Sequence, residues 1–261
     1  MIITYNYSTV KKFADMAFAH NFVTYAHLFN FKGFEEPNLT DEIKEAFLMK
    51  LNTSNPDGVP SFETFWTWAE QNYGVDLAKI MCDYNHPTRQ EGNYTLSAMM
   101  RNPKHNDWTH IKARVYRKWC SIITEAQCTY AILRGIDKLN KDWKVISSPA
   151  LDGMGIDLAV VTTNQAVPIQ IKKNTNSKYA KDKDNSAENF SRKALYSNAS
   201  RVFKESLKNF DQPQTDILIV KYGLRDKFTK KLPYDYLKAA ENNFVFFDGE
   251  KIVQSLEKFI Y

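Results

Sequence analysis

The chain of 261 residues has few cysteines: Cys82, Cys120 and Cys128, with no C-x-x-C pair among them. An odd count without pairing motifs argues against a disulfide framework and suits a reducing compartment, so the expected location is the cytoplasm. Cys82 and His86 are spaced like half of a zinc site, but no second pair follows at a suitable distance, and no zinc is expected. Long apolar runs are missing too. None approaches the roughly 18 residues that a membrane-crossing helix needs, so no membrane partner is expected. The opening residues Met1-Ile2-Ile3-Thr4-Tyr5-Asn6 have no basic stretch leading into an apolar one, so no signal peptide is expected. Internal repeats and low-complexity segments are absent as well.

What is present is ample apolar material, 43% of residues, enough for one large domain or two small ones. The net charge of +5 is mild, but it is unevenly spread. Residues 1–100 hold 7 Lys and Arg against 12 Asp and Glu, whereas residues 101–261 hold 28 against 18. A basic excess in one part of a chain suits a polyanionic partner such as DNA.

Residues 1–100 read as helical and rich in aromatics. Helices are expected over 8–22, with Ser8 as N-cap, and over 40–51, where Thr40 opens a capping sequence and Ile43, Phe47 and Leu51 recur at helical spacing. A loop at 52–60 precedes a Ser61-capped helix that carries Phe62, Phe65, Trp66 and Ala69 and stops before Gly74, with a short helix over 75–81. Phe65, Trp66 and Trp68 are read as core rather than as a base-stacking platform. Residues 83–108 read as an irregular connector and as the boundary between two parts, 1–100 and 101–261. Arg89, Arg101, Lys104 and His105 in it are candidates to face DNA.

The strongest helix covers 109–134. Ile111, Val115, Trp119, Ile122, Ala126, Tyr130 and Leu133 form its apolar stripe, and Gly135 reads as its stop. Lys112, Arg114, Arg117 and Lys118 occupy its early turns and could meet phosphate. A strand follows over 143–147. Then come two strands that organise the rest, over 155–161 and 168–173, joined by a polar turn. Side chains alternate along a strand, so Asp157 shares a face with Ala159 and Val161, and Gln170 shares one with Lys172. A carboxylate, an amide oxygen and an ammonium that meet across two rigid strands make a plausible Mg²⁺ site, because Mg²⁺ takes hard oxygen donors and few protein ligands. Asp152, beside Gly153, is second choice to Asp157 and reads better as a turn residue. A basic loop follows, with Lys173, Asn174, Asn176, Lys178 and Lys181 as candidate contacts to DNA backbone or base edges. A helix over 186–210, strands over 216–222 and 243–247, and a terminal helix over 252–260 complete an α/β order.

Asp157 followed by Gln170-Ile171-Lys172 resembles the PD-(D/E)xK nuclease superfamily and, within it, the type II restriction endonucleases. Gln170 stands where the family has an acid, and Ile156 where it often has Pro. The resemblance covers roughly residues 108–223. It implies a mixed central sheet flanked by helices and Mg²⁺-dependent hydrolysis of double-stranded DNA. It also implies that Asp157, Gln170 and the Ile171 carbonyl hold the metal and that Lys172 handles the attacking water. Glu125 resembles the acid that the helix before the core sheet often offers toward the metal. A homodimer cutting a palindrome is the expected assembly, with the helical N-terminal part serving recognition or dimerisation. Two other readings stay open: a structure-specific repair or recombination nuclease, and a DNA-binding protein whose nuclease site has decayed.

Overall fold

The structure, a computed structural model, describes residues 3–14, 39–53, 59–85, 89–148, 151, 156–162, 166–173, 218–222, 237–239, 245–258 and 260. The architecture is mixed α/β and mostly helical. The chain forms two compact units: residues 15–124, and residues 1–14 together with 125–261. The division falls within a long helix, between residues 124 and 125, rather than at 100/101.

In the unit of residues 15–124, the described residues form three helices ahead of the long one: α2 (Asp41–Thr53), α3 (Phe62–Asn85) and α4 (Arg89–Arg101). Thr40 caps α2 through Oγ1, which accepts from Ile43 N at 3.4 Å, and Ser61 Oγ accepts from Thr64 N at 3.3 Å ahead of α3. Helix α3 runs straight through Gly74, where a break was expected. Leu77, Ala78, Met81 and Cys82 prolong its buried face, and burial outweighs the roughly 1 kcal/mol preference against Gly in a helix. The expected connector is also largely helical. Met99 in α4 is buried, and its carbonyl accepts from Trp108 Nε1 at 3.0 Å. The aromatics are core: Phe62 and Phe65 are fully buried, and Phe47 meets Phe65 edge-on at 5.0 Å.

Helix α5 (Asn106–Lys138) is 33 residues long. It passes through Gly135, the expected stop, and ends one turn later. Asn140 takes the left-handed conformation with φ 50°, Asn140 N donates to the Asp137 carbonyl, and Lys141 N to the Ile136 carbonyl, each at 3.0 Å. That pair of bonds is a Schellman ending with Asn in the usual glycine position. Gly135 has a different task. A Cβ on it would collide with the Gly249 backbone, and one on Gly249 with the Ala131 carbonyl. Two bare glycine backbones let α5 and the start of α6 (Gly249–Glu257) touch.

The unit of residues 1–14 and 125–261 carries the sheet. Its strands are β1 (Ile3–Tyr5), β2 (Lys144–Ser147), β3 (Leu158–Val161), β4 (Ala166–Lys173) and β5 (Leu218–Tyr222), in that spatial order. Neighbours are antiparallel except β4 and β5, which run parallel. Strand β1 and a separate pair, β6 (Leu237–Ala239) with β7 (Val245–Phe247), extend the sequence reading: β1 and β6 were not expected. The described part of the expected helix 8–22 is α1 (Tyr7–Ala14), and the helix expected over 186–210 lies outside the described residues.

Cys128, Ile132 and Ile136 of α5 pack with Val145, Leu158, Val160, Val167, Ile169 and Val220 of the sheet and with Ile252, Val253 and Leu256 of α6. Beyond residue 125 the most buried stripe is therefore Cys128–Ile132–Ile136 rather than the expected Tyr130 and Leu133. Ala159 and Ala166, alternating with those strand positions, are fully buried as well, as expected of central strands covered on both faces.

Gly to Ala in a helix interior ordinarily stabilises by about 1 kcal/mol. Gly135→Ala is expected to do the reverse and to cost about 3 kcal/mol by forcing α5 and α6 apart. Chemical denaturation checks this, and a neutral or stabilising result would contradict the close approach.

Candidate active site

Strand β3 begins one residue after Asp157, and Asp157 forms the junction with β4. Asp157 N donates to the Ile169 carbonyl at 3.0 Å, and Asp157 Oδ2 accepts from Ile171 N at 2.6 Å. The carboxylate takes a place in the ladder that a backbone carbonyl would otherwise fill. A charged acceptor makes this a short, strong bond. Asp157 is thus fastened to the residues on either side of Gln170.

Gln170 lies in β4, where its backbone is paired with Ile219 of β5. Its side-chain oxygen is buried and has no hydrogen-bond partner among the described residues. A buried acceptor left unpaired costs about 1–3 kcal/mol and calls for an explanation. Lys172 and Lys173 pair through their backbones with Lys221 and Tyr222.

Glu125 belongs to the same unit. One turn further along α5 lies the fully buried Cys128. Burial, then the charge of Asp157, then that of Glu125 push the Cys128 thiol well above its ordinary pKa. Tyr5 has its hydroxyl 3.0 Å from Ser147 Oγ. Burial raises its pKa to about 12, with the Ser147 bond opposing and the Glu125 charge adding to the rise. Asp157, Gln170 and Glu125 are accordingly brought together in one unit, with Ile171 joined to Asp157. Tyr5, Ser147 and Cys128 were missed in the sequence. The β-branched opening Ile2-Ile3-Thr4 was the available sign of a strand there.

The other candidates divide. Asp152, Asn174, Asn176, Lys178 and Lys181 lie outside the described residues. Arg101 and Lys104 are exposed, whereas Arg114, Arg117 and Lys118 are half-buried and engaged by other groups. Lys112 is bound within the protein: its ammonium is 3.2 Å from Glu63 and lies over the Phe62 and Trp66 rings.

Among the described residues no three His, Cys, Asp or Glu side chains form a metal-binding group, and no helix is long and apolar enough to cross a membrane. The donors at hand are different: a carboxylate, an orphaned amide oxygen and main-chain carbonyls. These are hard oxygen donors, and they fit a cation such as Mg²⁺, which needs few protein ligands.

An α/β protein with an acid hydrogen-bonded to the strand that carries a buried amide has the makings of a hydrolase site. Over residues 49–260 the chain matches the model of one family, the TaqI restriction endonucleases. The chain belongs to that family and is a restriction endonuclease, a nuclease that the family implies binds DNA. No curated protein and no solved structure matches it.

The raised pKa of Tyr5 carries a pH signature. The folded protein holds this proton more tightly than the unfolded chain does. The associated stability is fully present below pH 10 and is lost as pH rises toward 12. It is on the order of 1–2 kcal/mol once the partial exposure of the ring is allowed for. Tyr5→Phe is expected to flatten the fall in thermal midpoint over that range relative to the unaltered chain. Parallel curves for the two proteins would contradict the placement of Tyr5.

Proposed function

We propose that the protein is a type II site-specific deoxyribonuclease that hydrolyses phosphodiester bonds in double-stranded DNA with Mg²⁺. The observation that carries this reading is the buried Gln170 oxygen, without a partner among the described residues, next in sequence to the Ile171 N–H that clasps the Asp157 carboxylate. A bound cation would give that oxygen its missing partner. In this reading Asp157, Gln170 and the Ile171 carbonyl hold the ion. Mg²⁺ bound there lowers the pKa of a water and offsets charge on the phosphate.

The chain's own groups do the rest. Asp157 supplies the site's fixed negative charge, oriented by the Ile171 N–H. Gln170 is neutral where the superfamily resembled in sequence has an acid, so cation binding leans more on the phosphate of the DNA. Lys172 orients the attacking water and draws its proton as the oxygen joins phosphorus and the bond to the departing oxygen breaks. Glu125 adds a contact through water. Lys173, Asn174, Asn176, Lys178 and Lys181, with Arg101, Lys104, Arg114 and Arg117, meet the DNA. The reading favours a homodimer, in which two such sites related by a two-fold axis cut both antiparallel strands. The neutral Gln170 also favours a second reading, a DNA-binding protein with a decayed site.

Cleavage of supercoiled plasmid with Mg²⁺ separates these. The restriction reading predicts discrete fragments. Fragments formed without a long-lived nicked intermediate support the dimer, and binding without cutting supports the decayed site. Lys172→Ala is expected to lower cleavage by about 10²–10⁴-fold while leaving DNA binding intact. Gln170→Ala is expected to lose most activity, and Gln170→Glu to retain a measurable part. Gln170→Ala matching the unaltered enzyme across a Mg²⁺ titration would remove Gln170 from the site.

A further inference from the structure

Strands β4 and β5 run parallel, and their carboxyl ends lie side by side in the unit that holds the candidate site. The register there pairs Gln170 with Ile219, Ile171 with Val220, Lys172 with Lys221 and Lys173 with Tyr222. Packing fixes the face that each position takes. Val220 is buried, and it and Ile171 pack with Val167, Ile169 and the core residues of α5 and α6. Positions alternate between faces along a strand, so those next to Ile171 and Val220 belong to the opposite face. That face carries Gln170, and Lys172 and Lys221 are the next positions on it along the two strands. Neighbouring strands are about 4.8 Å apart, so two lysines occupy adjacent places one step beyond Gln170. Like charges at adjacent places weaken a sheet. An anion bound across both places removes that cost. The carboxyl ends of parallel strands are also where open α/β sheets bind their ligands.

We propose that Lys221 is a second lysine of the catalytic centre, and that it holds a non-bridging oxygen of the scissile phosphate while Lys172 handles the attacking water. The proposal rests on the reading that Asp157, Gln170 and Lys172 form the nuclease site. Lys221 moves no proton. As the water oxygen joins phosphorus, negative charge grows on the non-bridging oxygens, and a fixed ammonium offsets it there. The same lysine accounts for a neutral residue at 170. Asp157, Lys172 and Lys221 together carry one net positive charge beside Gln170. Such a centre favours the phosphate, and the phosphate supplies the anionic ligand to Mg²⁺ that an acid at 170 would otherwise give.

The test uses the full-length protein. Plasmid cleavage is measured in single turnover with Mg²⁺ and saturating enzyme. Affinity for a duplex spanning a mapped cut is measured without metal over a salt series. Lys221→Gln is expected to lower the single-turnover rate by about 10–100-fold, the worth of one charged hydrogen bond. It is also expected to reduce the slope of log affinity against log salt by about one. Lys221→Arg, which keeps the charge, is expected to stay within about tenfold of the unaltered rate, and an Arg variant as slow as the Gln one would contradict a role for the charge. Lys221→Gln cutting within about twofold of the unaltered rate would overturn the proposal. So would a loss confined to affinity, the mark of a lysine that meets a phosphate away from the cut. Without DNA, Lys221→Gln is expected to unfold at or above the thermal midpoint of the unaltered chain, because a like-charge pair is relieved. A lowered midpoint identifies a structural lysine and also overturns the proposal. Lys172→Ala tells two levels of failure apart. Normal cutting by that variant removes the site itself, whereas its loss of cleavage beside normal cutting by Lys221→Gln removes only the role of Lys221.

Discussion

The site depends on one hydrogen bond, from Ile171 N to the Asp157 carboxylate at 2.6 Å. Without it, Asp157 would be a loose residue ahead of a strand. With it, Asp157 is tied on both sides of Gln170, through its backbone N–H to Ile169 and through its carboxylate to Ile171. Fixed in this way, the carboxylate loses little further freedom when it takes up a ligand, the general benefit of preorganisation. A buried amide oxygen with no partner among the described residues sits in the residue that the clasp spans, and its burial is a cost until something supplies a positive charge or a proton.

Helix α5 links this site to the rest of the chain. Its residues 106–124 belong to one compact unit and 125–138 to the other, and Glu125 stands where the second begins. The helix is pinned at its far end by the Gly135–Gly249 approach, by Lys138 with Glu250 at 2.5 Å, and by the Asn140 ending. Asp248 caps the helix it meets, accepting from Lys251 N at 3.4 Å. These contacts set the register of α5 over the sheet and so place Cys128, Ile132 and Ile136 in the core against it. That register is why a glycine in midhelix, ordinarily a weakness, is a requirement here.

Much of this was legible in the sequence because it depends on local pattern. The strands around Asp157 and Gln170, the long helix and the aromatic core follow from β-branched runs and helical spacing. What was not legible depends on partners far along the chain. Gly135 and Gly74 read as stops because isolated glycine disfavours helix, but a neighbouring backbone at Gly249 and a continuing buried face after Gly74 decide otherwise. Residues 89–101 read as irregular because Gly92 and scattered polar residues hid a helix that is anchored through Met99 and Trp108. Strand β1 is three residues long, too short for periodicity to reveal, and exists because β2 presents an edge to it. Lys112 looked free for phosphate because Glu63 is distant in sequence.

The central claim is that the orphaned Gln170 oxygen awaits a cation which Asp157 shares. The most direct measurement is a crystal structure of the full chain with double-stranded DNA and Ca²⁺, a hard ion in place of Mg²⁺ that permits binding while slowing cleavage. The account predicts one ion with Gln170 Oε1 and an Asp157 carboxylate oxygen both at about 2.3–2.6 Å. An ion held elsewhere, with Gln170 Oε1 hydrogen-bonded to a protein donor in the complex, would contradict it.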